Sequence, residues 1–126
     1  MSKDEKLYGE VALESNKLEA FDNRTPQRDY EVKFTCPEFT CLCPRSGFPD
    51  FATIFITYRP KLKCVELKSL KLYINQFREQ KVYHEDVTNI ILEDLVKLLD
   101  PKFIEIKSDF NVRGNIHTLV TAQHEG

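Results

Sequence analysis

The sequence predicts an α+β fold in which an antiparallel four-stranded sheet carries two helices on one face, in the chain order ββααββ. Three observations support this prediction. A length of 126 residues suits one domain of ordinary size. The hydrophobic pattern has the two-residue period of strands at both ends of the domain and the 3.6-residue period of helices between them. Short connections between these segments favour antiparallel neighbours with the helices on one side of the sheet.

The first half of the sheet is predicted from two segments separated by a loop. Apolar residues alternate in residues 29–36, and Pro37 is expected to end this strand because proline cannot donate to a ladder. Residues 37–50 are then expected to form a long loop. Residues 51–60, FATIFITYRP, are rich in β-branched and aromatic side chains, which indicates a buried strand that ends at its proline.

The second half is predicted as two helices followed by two strands. Apolar residues recur at helical spacing in residues 69–80 and again in residues 85–99, where Asp100-Pro101 ends the helix. The alternating segments 102–112 and 115–122 predict the last two strands. The apolar stripe of the second helix is expected to consist of Ile90, Ile91, Leu95, Leu98 and Leu99.

The chain divides into a lead-in and one folded domain. Residues 1–28 are polar and mixed in charge, so we expect an N-terminal arm there and a single domain over residues 29–126. An open four-stranded sheet has two exposed edges, and these must be paired or covered. Assembly of several copies into a ring is a way to cover them.

Composition excludes several classes of partner. A net charge of -2 and a pI near 5.9 provide no basic field for nucleic acid. No run approaches the roughly 20 apolar residues of a membrane span, and the start lacks the apolar core of a signal peptide. We therefore expect a cytoplasmic protein, in which the four cysteines are packing residues, metal ligands or catalysts rather than disulfides.

The cysteines differ in their surroundings. Cys36 ends a predicted strand and Cys64 lies in a short apolar stretch, so both are interpreted as small packing residues. Cys41 and Cys43 fall in the predicted loop, where packing explains them less well. The spacing C-x4-C-x-C lacks the repeated pairing of zinc sites, and no metal is expected. A nucleophilic Cys43 with Asp50 as a proton donor is the catalytic alternative, because a nearby carboxyl is better suited to donating a proton than to activating sulfur.

Two further segments carry candidate ligand contacts. Lys68 and Lys71 lie three residues apart, so on a helix they share a face that suits phosphate groups, although an ordinary solvated lysine face is the simpler explanation. Neither a Rossmann nor a Walker loop is present. Glu85 could stabilise a helix start or accept two N–H donors from the edge of a purine-like base, and His84 beside it could relay a proton.

Together these segments resemble one family closely. FTCPEFTCLCPRSGFPDFATIFITY, VELKSLKLY, YHED and the late VRG are similar to the NADPH-dependent nitrile reductases of queuosine biosynthesis, the QueF family, in its short single-module form. The resemblance covers roughly residues 29–115, and ELKSLKLY, residues 66–73, is its most specific part. It implies the tunnelling fold, or T-fold, and homo-oligomers with active sites between subunits.

The resemblance also implies a reaction and its residues. The family reduces 7-cyano-7-deazaguanine to 7-aminomethyl-7-deazaguanine with two equivalents of NADPH as co-substrate. It implies that Cys43 adds to the nitrile carbon to form a thioimide while Asp50 protonates the nitrogen. His84 and Glu85 match the family's substrate-binding pair.

The remaining implied contacts come from the VELKSLKLY segment. The resemblance assigns the wall of the base pocket to Val65, Glu66 and Leu67. It associates NADPH with Lys68, Ser69 and Lys71.

Three alternatives stay open. A zinc-dependent cyclohydrolase on the same fold would need bound metal, and a non-catalytic pterin- or purine-binding module would not need Cys43. Cys41 stands where related sequences often have serine, so a redox lock of Cys43 with Cys41 or Cys36 is a further hypothesis.

Overall fold

The computed structural model describes residues 18–126 and contains two sheets with two α-helices. The large sheet is antiparallel with the order β2-β3-β5-β6, and a small sheet pairs β1 with β4. The elements in chain order are β1 (Ala20–Asp22), β2 (Val32–Leu42), β3 (Pro49–Arg59), β4 (Lys63–Val65), α1 (Leu67–Asn75), a 3-10 turn (Gln76–Glu79), α2 (His84–Leu99), β5 (Phe103–Arg113) and β6 (Ile116–Glu125). The predicted fold class and element order are confirmed.

The core lies between the helices and one face of the large sheet. Alternate side chains of β3 and β5 are buried on that face, as the two-residue period of strands requires. The buried stripe of α2 packs across β5 and β6, while α1 and the 3-10 turn lie against β2. The largest fully buried aliphatic side chains of this layer are Ile54, Ile56, Ile91, Leu95, Leu99, Ile104 and Ile106.

The loop predicted over residues 37–50 is wrong in its extent. β2 continues through Pro37 to Leu42, and its register with β3 shifts between Cys36 and Phe39. Proline is tolerated at such a bulge, and at the edge of a sheet, because no ladder hydrogen bond is lost there. The connection between β2 and β3 is therefore only residues 43–48.

The small sheet was not predicted from the sequence. Ala20 pairs with Val65 and Asp22 with Lys63, so regular structure begins before Asp29, where the sequence analysis expected it. Strands of three residues are too short to show a period. Residues 1–17 of the expected arm lie outside the described residues, and the domain boundary at residue 28 stays a prediction.

Both predicted helices are present with shifted limits. The first begins earlier than expected, at Leu67, and its final turn is 3-10. α2 matches the prediction to within one residue and ends at Asp100, whose φ of 44° places it in the left-handed region before Pro101. Ile90 is 41% exposed, so its assignment to the buried stripe was wrong. In residues 18–126 no helix combines the length and apolar character needed to cross a membrane.

Candidate active site

Cys43 occupies the first position of the short connection between β2 and β3. Its backbone N–H donates to Phe48 O at 2.8 Å, and Gly47 N–H donates back to Cys43 O at 2.8 Å. Gly47 has a φ of 75°, a left-handed conformation that glycine adopts without strain. These contacts fold the connection tightly and leave the Cys43 side chain half-buried.

The connection stabilises the thiolate of Cys43. The pKa of Cys43 lies below its ordinary value because the Ser46 side chain donates to the sulfur, together with the backbone N–H groups of Ser46 and Arg45. Partial desolvation and the negative charge of Asp50 oppose this shift. Arg45 therefore lowers this pKa through its backbone N–H.

Cys41 is a buried strand residue and not a loop thiol. It is 0% exposed and pairs with Asp50 across β2 and β3. Burial raises the pKa of Cys41 to about 12, with smaller contributions from the charges of Asp50 and Cys43. The placement of Cys41 in a loop was wrong, and packing explains this thiol as it explains the buried Cys64. The redox lock stays a hypothesis.

Asp50 is a nearly buried carboxyl held from two sides. It is 6% exposed and lies on the helix-facing side of β3, one residue after the strand begins. Oδ1 accepts a hydrogen bond from Arg113 Nη1 at 2.9 Å, and Oδ2 lies 3.2 Å from His84 Nε2. These contacts fix the orientation of the carboxyl group, and Asp50 pairs with Cys41, two residues before Cys43.

His84 reaches Asp50 because the segment before α2 is tied to β2. Leu42 N–H donates to Gln80 O at 2.9 Å, and Val82 N–H donates to Leu42 O at 3.0 Å. These bonds place the first residue of α2 beside the connection between β2 and β3. The His84 ring stacks on Phe110, with centroids 3.7 Å apart and planes 6° apart. The ring is thus positioned by packing before any ligand binds.

Glu85 follows His84 on the exposed side of the first helical turn. Its backbone carbonyl accepts from the Asn89 side chain at 2.9 Å. Negative charge in this turn favours the helix dipole, so a local structural role and a role in binding a base are both compatible with its position.

The second group of predicted ligand residues surrounds the start of α1. Val65 is buried and Leu67 is 53% exposed. The carboxylate of Glu66 caps the helix, accepting from Ser69 N–H at 2.8 Å and from Lys68 N–H at 2.9 Å. These two bonds hold the pKa of Glu66 below its ordinary value. The helix N-terminus is therefore already occupied by a carboxylate of the protein.

Ser69 connects this helix start to the lead-in. Its hydroxyl donates to Glu66 O at 2.8 Å and accepts from Glu19 N–H at 3.0 Å. These contacts give the 5% exposed serine a structural role, and its assignment to the cofactor stays a prediction.

A cavity of about 320 Å³ lies between α1 and the bulged part of β2. Leu67 and the exposed Lys71 lie on its wall, so two of the predicted ligand residues face one space. The other wall is mostly apolar and includes the half-buried Cys36. The remaining lining residues are Phe34, Thr35, Pro37, Glu38, Phe39, Leu70, Ile74 and Asn75.

The structure thus gathers Cys43, Asp50 and His84 at one place, with the remaining predicted ligand residues around α1 or exposed on α2. It adds Ser46 and Arg113, to which the sequence analysis gave no role. Ser46 has no sequence signal because its contribution depends on the turn, whereas Arg113 was visible only as part of the late VRG. Among residues 18–126, no three His, Cys, Asp or Glu side chains form a group that could hold a metal ion.

Fold and site together define a T-fold protein with a stabilised cysteine thiolate near a nearly buried, positioned carboxyl. Comparison with solved structures supports this assignment of the fold. The crystal structure of the archaeosine synthase QueF-Like in the apo form superposes with a TM-score of 0.67, covering 78% of this chain and 94% of that chain. At 17% sequence identity this likeness shows the fold alone.

Sequence comparison defines the family. A family model described as "QueF-like protein" matches residues 49–126. The chain is 53% identical over 125 residues to the NADPH-dependent 7-cyano-7-deazaguanine reductase of Aquifex aeolicus, covering 99% of this chain and 97% of the relative. It is 52% identical over 122 residues to the protein of the same name from Prochlorococcus marinus, covering 97% of this chain and 87% of the relative. The chain therefore belongs to the QueF-like family, and the resemblance seen in the sequence is confirmed.

Proposed function

We propose that this protein reduces the nitrile of 7-cyano-7-deazaguanine to 7-aminomethyl-7-deazaguanine with NADPH, as a step in queuosine biosynthesis. The names of relatives more than 50% identical support the substrate and the reductant. The observation that carries the chemistry is a stabilised thiolate, Cys43, two residues along the chain from Cys41, the strand partner of the positioned carboxyl Asp50.

The first step is covalent. The Cys43 thiolate adds to the nitrile carbon, and the proton of Asp50 passes to the nitrile nitrogen. One carbon–nitrogen π bond breaks, one carbon–sulfur bond forms, and the product is a neutral thioimide on Cys43. Because every atom of the substrate is retained, the protein becomes heavier by one whole substrate. The thioimide carbon accepts hydride more readily than the nitrile carbon, so a difficult reduction is divided into easier steps.

The later steps use the same residues. Two hydrides from NADPH as co-substrate would be needed: the first at the thioimide carbon, after which the Cys43 thiolate leaves an imine, and the second at the imine carbon together with one proton on its nitrogen. His84 exchanges protons with Asp50 across 3.2 Å and can restore the acid between steps. A pocket that excludes water is needed to retain the imine between the two hydride transfers.

The residues around α1 fit an NADPH site in part. Lys71 faces the cavity beside α1, and the ammonium groups of Lys68 and Lys71 suit phosphate oxygens. The N–H groups of Lys68 and Ser69 are used by Glu66, so phosphate would be held by lysine side chains and not by the helix N-terminus. Val65, Glu66 and Leu67 remain the proposed wall of the base pocket.

We further propose that the complete site forms between copies of the chain. The hydrogen bonds of Asp50 run to Arg113 and His84, whereas those of Ser69 run to Glu66 and Glu19. The residues around Asp50 and the residues around the start of α1 thus form separate parts of one copy. Both β2 and β6 are edge strands of the sheet, and their pairing in a homo-oligomer would cover them and could bring the two groups together.

The test is adduct formation without NADPH, followed by intact-mass spectrometry. Wild-type protein mixed with 7-cyano-7-deazaguanine is expected to gain the mass of one substrate, and Cys43→Ala is expected to gain nothing. Asp50→Asn should slow adduct formation, while Glu85→Ala should mainly weaken substrate binding. An active wild-type protein without an adduct, or an adduct on Cys43→Ala, would contradict the assigned nucleophile. Stoichiometric zinc in the purified protein would favour the cyclohydrolase alternative instead.

A further inference from the structure

Arg113 stands at an irregularity of the sheet. It ends β5 immediately before a tight turn in which Gly114 and Asn115 both have positive φ, 56° and 68°. The register between β5 and β6 shifts between Phe110 and Arg113. In a regular strand these two side chains, an odd number of residues apart, would face opposite sides of the sheet. The shift alters that alternation, and Arg113 reaches Asp50 on the helix-facing side.

The contacts of Arg113 fix one of the two oxygens of Asp50. Nη1 donates to Pro49 O at 2.8 Å and to Asp50 Oδ1 at 2.9 Å, so it bridges the strand backbone and the carboxyl group. A guanidinium group only donates hydrogen bonds and does not lose its proton in proteins. Oδ1 therefore acts as an acceptor, which favours a proton on Asp50 at Oδ2, the oxygen that Arg113 does not contact. That oxygen lies 3.2 Å from His84 Nε2.

We propose that Arg113 is a positioning residue for the acid step: by holding Oδ1 of Asp50 it places the transferable proton on Oδ2, beside His84. This inference rests on the proposed function, because the proton is needed when the Cys43 sulfur adds to the nitrile. As the carbon–sulfur bond forms, the proton leaves Oδ2 for the nitrile nitrogen. The carboxylate that remains keeps Arg113 as its counter-ion.

The first test measures the rate of adduct formation without NADPH, so an effect of Arg113 on the cofactor does not enter. Arg113→Met is expected to slow the adduct about ten- to a hundredfold, the range for loss of a charged hydrogen bond, with substrate affinity unchanged. Arg113→Lys should recover part of the rate. The matched control is Arg28→Met, which removes an exposed arginine in the chain segment before β2 and should react at the wild-type rate.

A double-mutant comparison separates positioning from a general loss of structure. If Arg113 acts through the carboxyl, Arg113→Met should have little further effect in an Asp50→Asn background. A wild-type adduct rate in Arg113→Met would overturn the proposal. So would an equal slowing in both backgrounds, because Arg113 would then act independently of Asp50.

A second measurement stands apart from turnover. The nitrogen-15 NMR shift of His84 Nε2 reports its contact with Asp50 in the free protein. Arg113→Met is expected to move this signal and to leave those of His117 and His124 in place, and an unmoved His84 signal would refute the positioning role. Wild-type protein that forms no adduct but shows this response would refute the proposed function and with it the acid step, and would retain only the hold of Arg113 on the Asp50 carboxyl.

Discussion

The four thiols of this protein are predicted to differ sharply in reactivity, and alkylation of Cys41 and Cys43 measures the difference. The two lie two residues apart, yet the pKa of Cys43 lies below its ordinary value of 9.0 and that of Cys41 is raised to about 12. At pH 8 a thiol with a pKa below 9.0 is at least about one tenth thiolate, whereas a pKa near 12 leaves on the order of one part in ten thousand. Ionisation alone therefore favours Cys43 by at least about a thousandfold.

Part of this preference is offset by intrinsic nucleophilicity. A thiolate of higher pKa is more nucleophilic, with a Brønsted coefficient of about 0.4–0.5. Over three pKa units this makes the Cys41 thiolate about 20- to 30-fold more reactive than the Cys43 thiolate. The net preference is then at least about 30- to 60-fold before access is considered. Cys41 is 0% exposed, so exclusion of the reagent increases the ratio further.

The assay is a time course with limiting iodoacetamide at pH 8, with the modified residue located by peptide mass spectrometry. We expect Cys43 to carry nearly all early label and Cys43→Ala to lose this fast phase. In urea both thiols should react at similar rates, which controls for the sequence context. Labelling of Cys41 within about tenfold of Cys43 in the folded protein would refute the assignment of burial and thiolate stabilisation.

Three further predictions follow from single contacts. Ser46→Ala removes a hydrogen bond that lowers the pKa of Cys43, so the midpoint of its alkylation profile should move to higher pH, and an unmoved midpoint would contradict the role of the turn. Glu66→Ala removes the cap of α1. Because the folded pKa of Glu66 lies below its ordinary 4.5, the stabilisation from its carboxylate is present above pH 4.5 and is lost as the pH falls through the folded pKa. The free energies of urea unfolding of wild type and variant should therefore differ at pH 7 and converge in acid. Tyr73→Phe removes the hydroxyl that donates to Asp94 at 2.5 Å, and we expect the free energy of unfolding to fall by about 1.5–3 kcal/mol. An unchanged midpoint of urea unfolding would contradict this expectation.

The fold was predictable where periodic patterns are long. α2 shows sixteen residues of helical pattern with acidic residues at its start and Asp100-Pro101 at its end, so its limits followed from the sequence almost to the residue. The extent of β2 did not, because Pro37 normally ends a strand and nothing in a single sequence reveals a bulge at an edge. The three-residue strands β1 and β4 depend on each other and carry no local signal.

The site was predictable as residue types and not as contacts. Cys43 and Asp50 were identified because a carboxyl near a loop thiol is chemically informative, and the family resemblance assigned their roles. The contact of Arg113 with Asp50 joins residues 63 positions apart and depends on a register shift that no motif encodes. The burial of Cys41 likewise depends on the strand continuing past Pro37, so its pKa could not be derived from its distance to Cys43.

Three acidic groups lie near the adjoining ends of β2 and β3: the thiols of Cys41 and Cys43 and the carboxyl of Asp50. A negative charge on one of them disfavours a negative charge on another. Asp50 opposes the thiolate of Cys43, and each further negative charge nearby would oppose both. Burial keeps Cys41 protonated, so it adds no charge although it lies directly opposite Asp50 in the sheet. The turn donates N–H and hydroxyl groups to the Cys43 sulfur, while Arg113 provides the opposite charge for Asp50. Each of the two charges, on the Cys43 thiolate and on the Asp50 carboxylate, therefore has a partner that belongs to the fold.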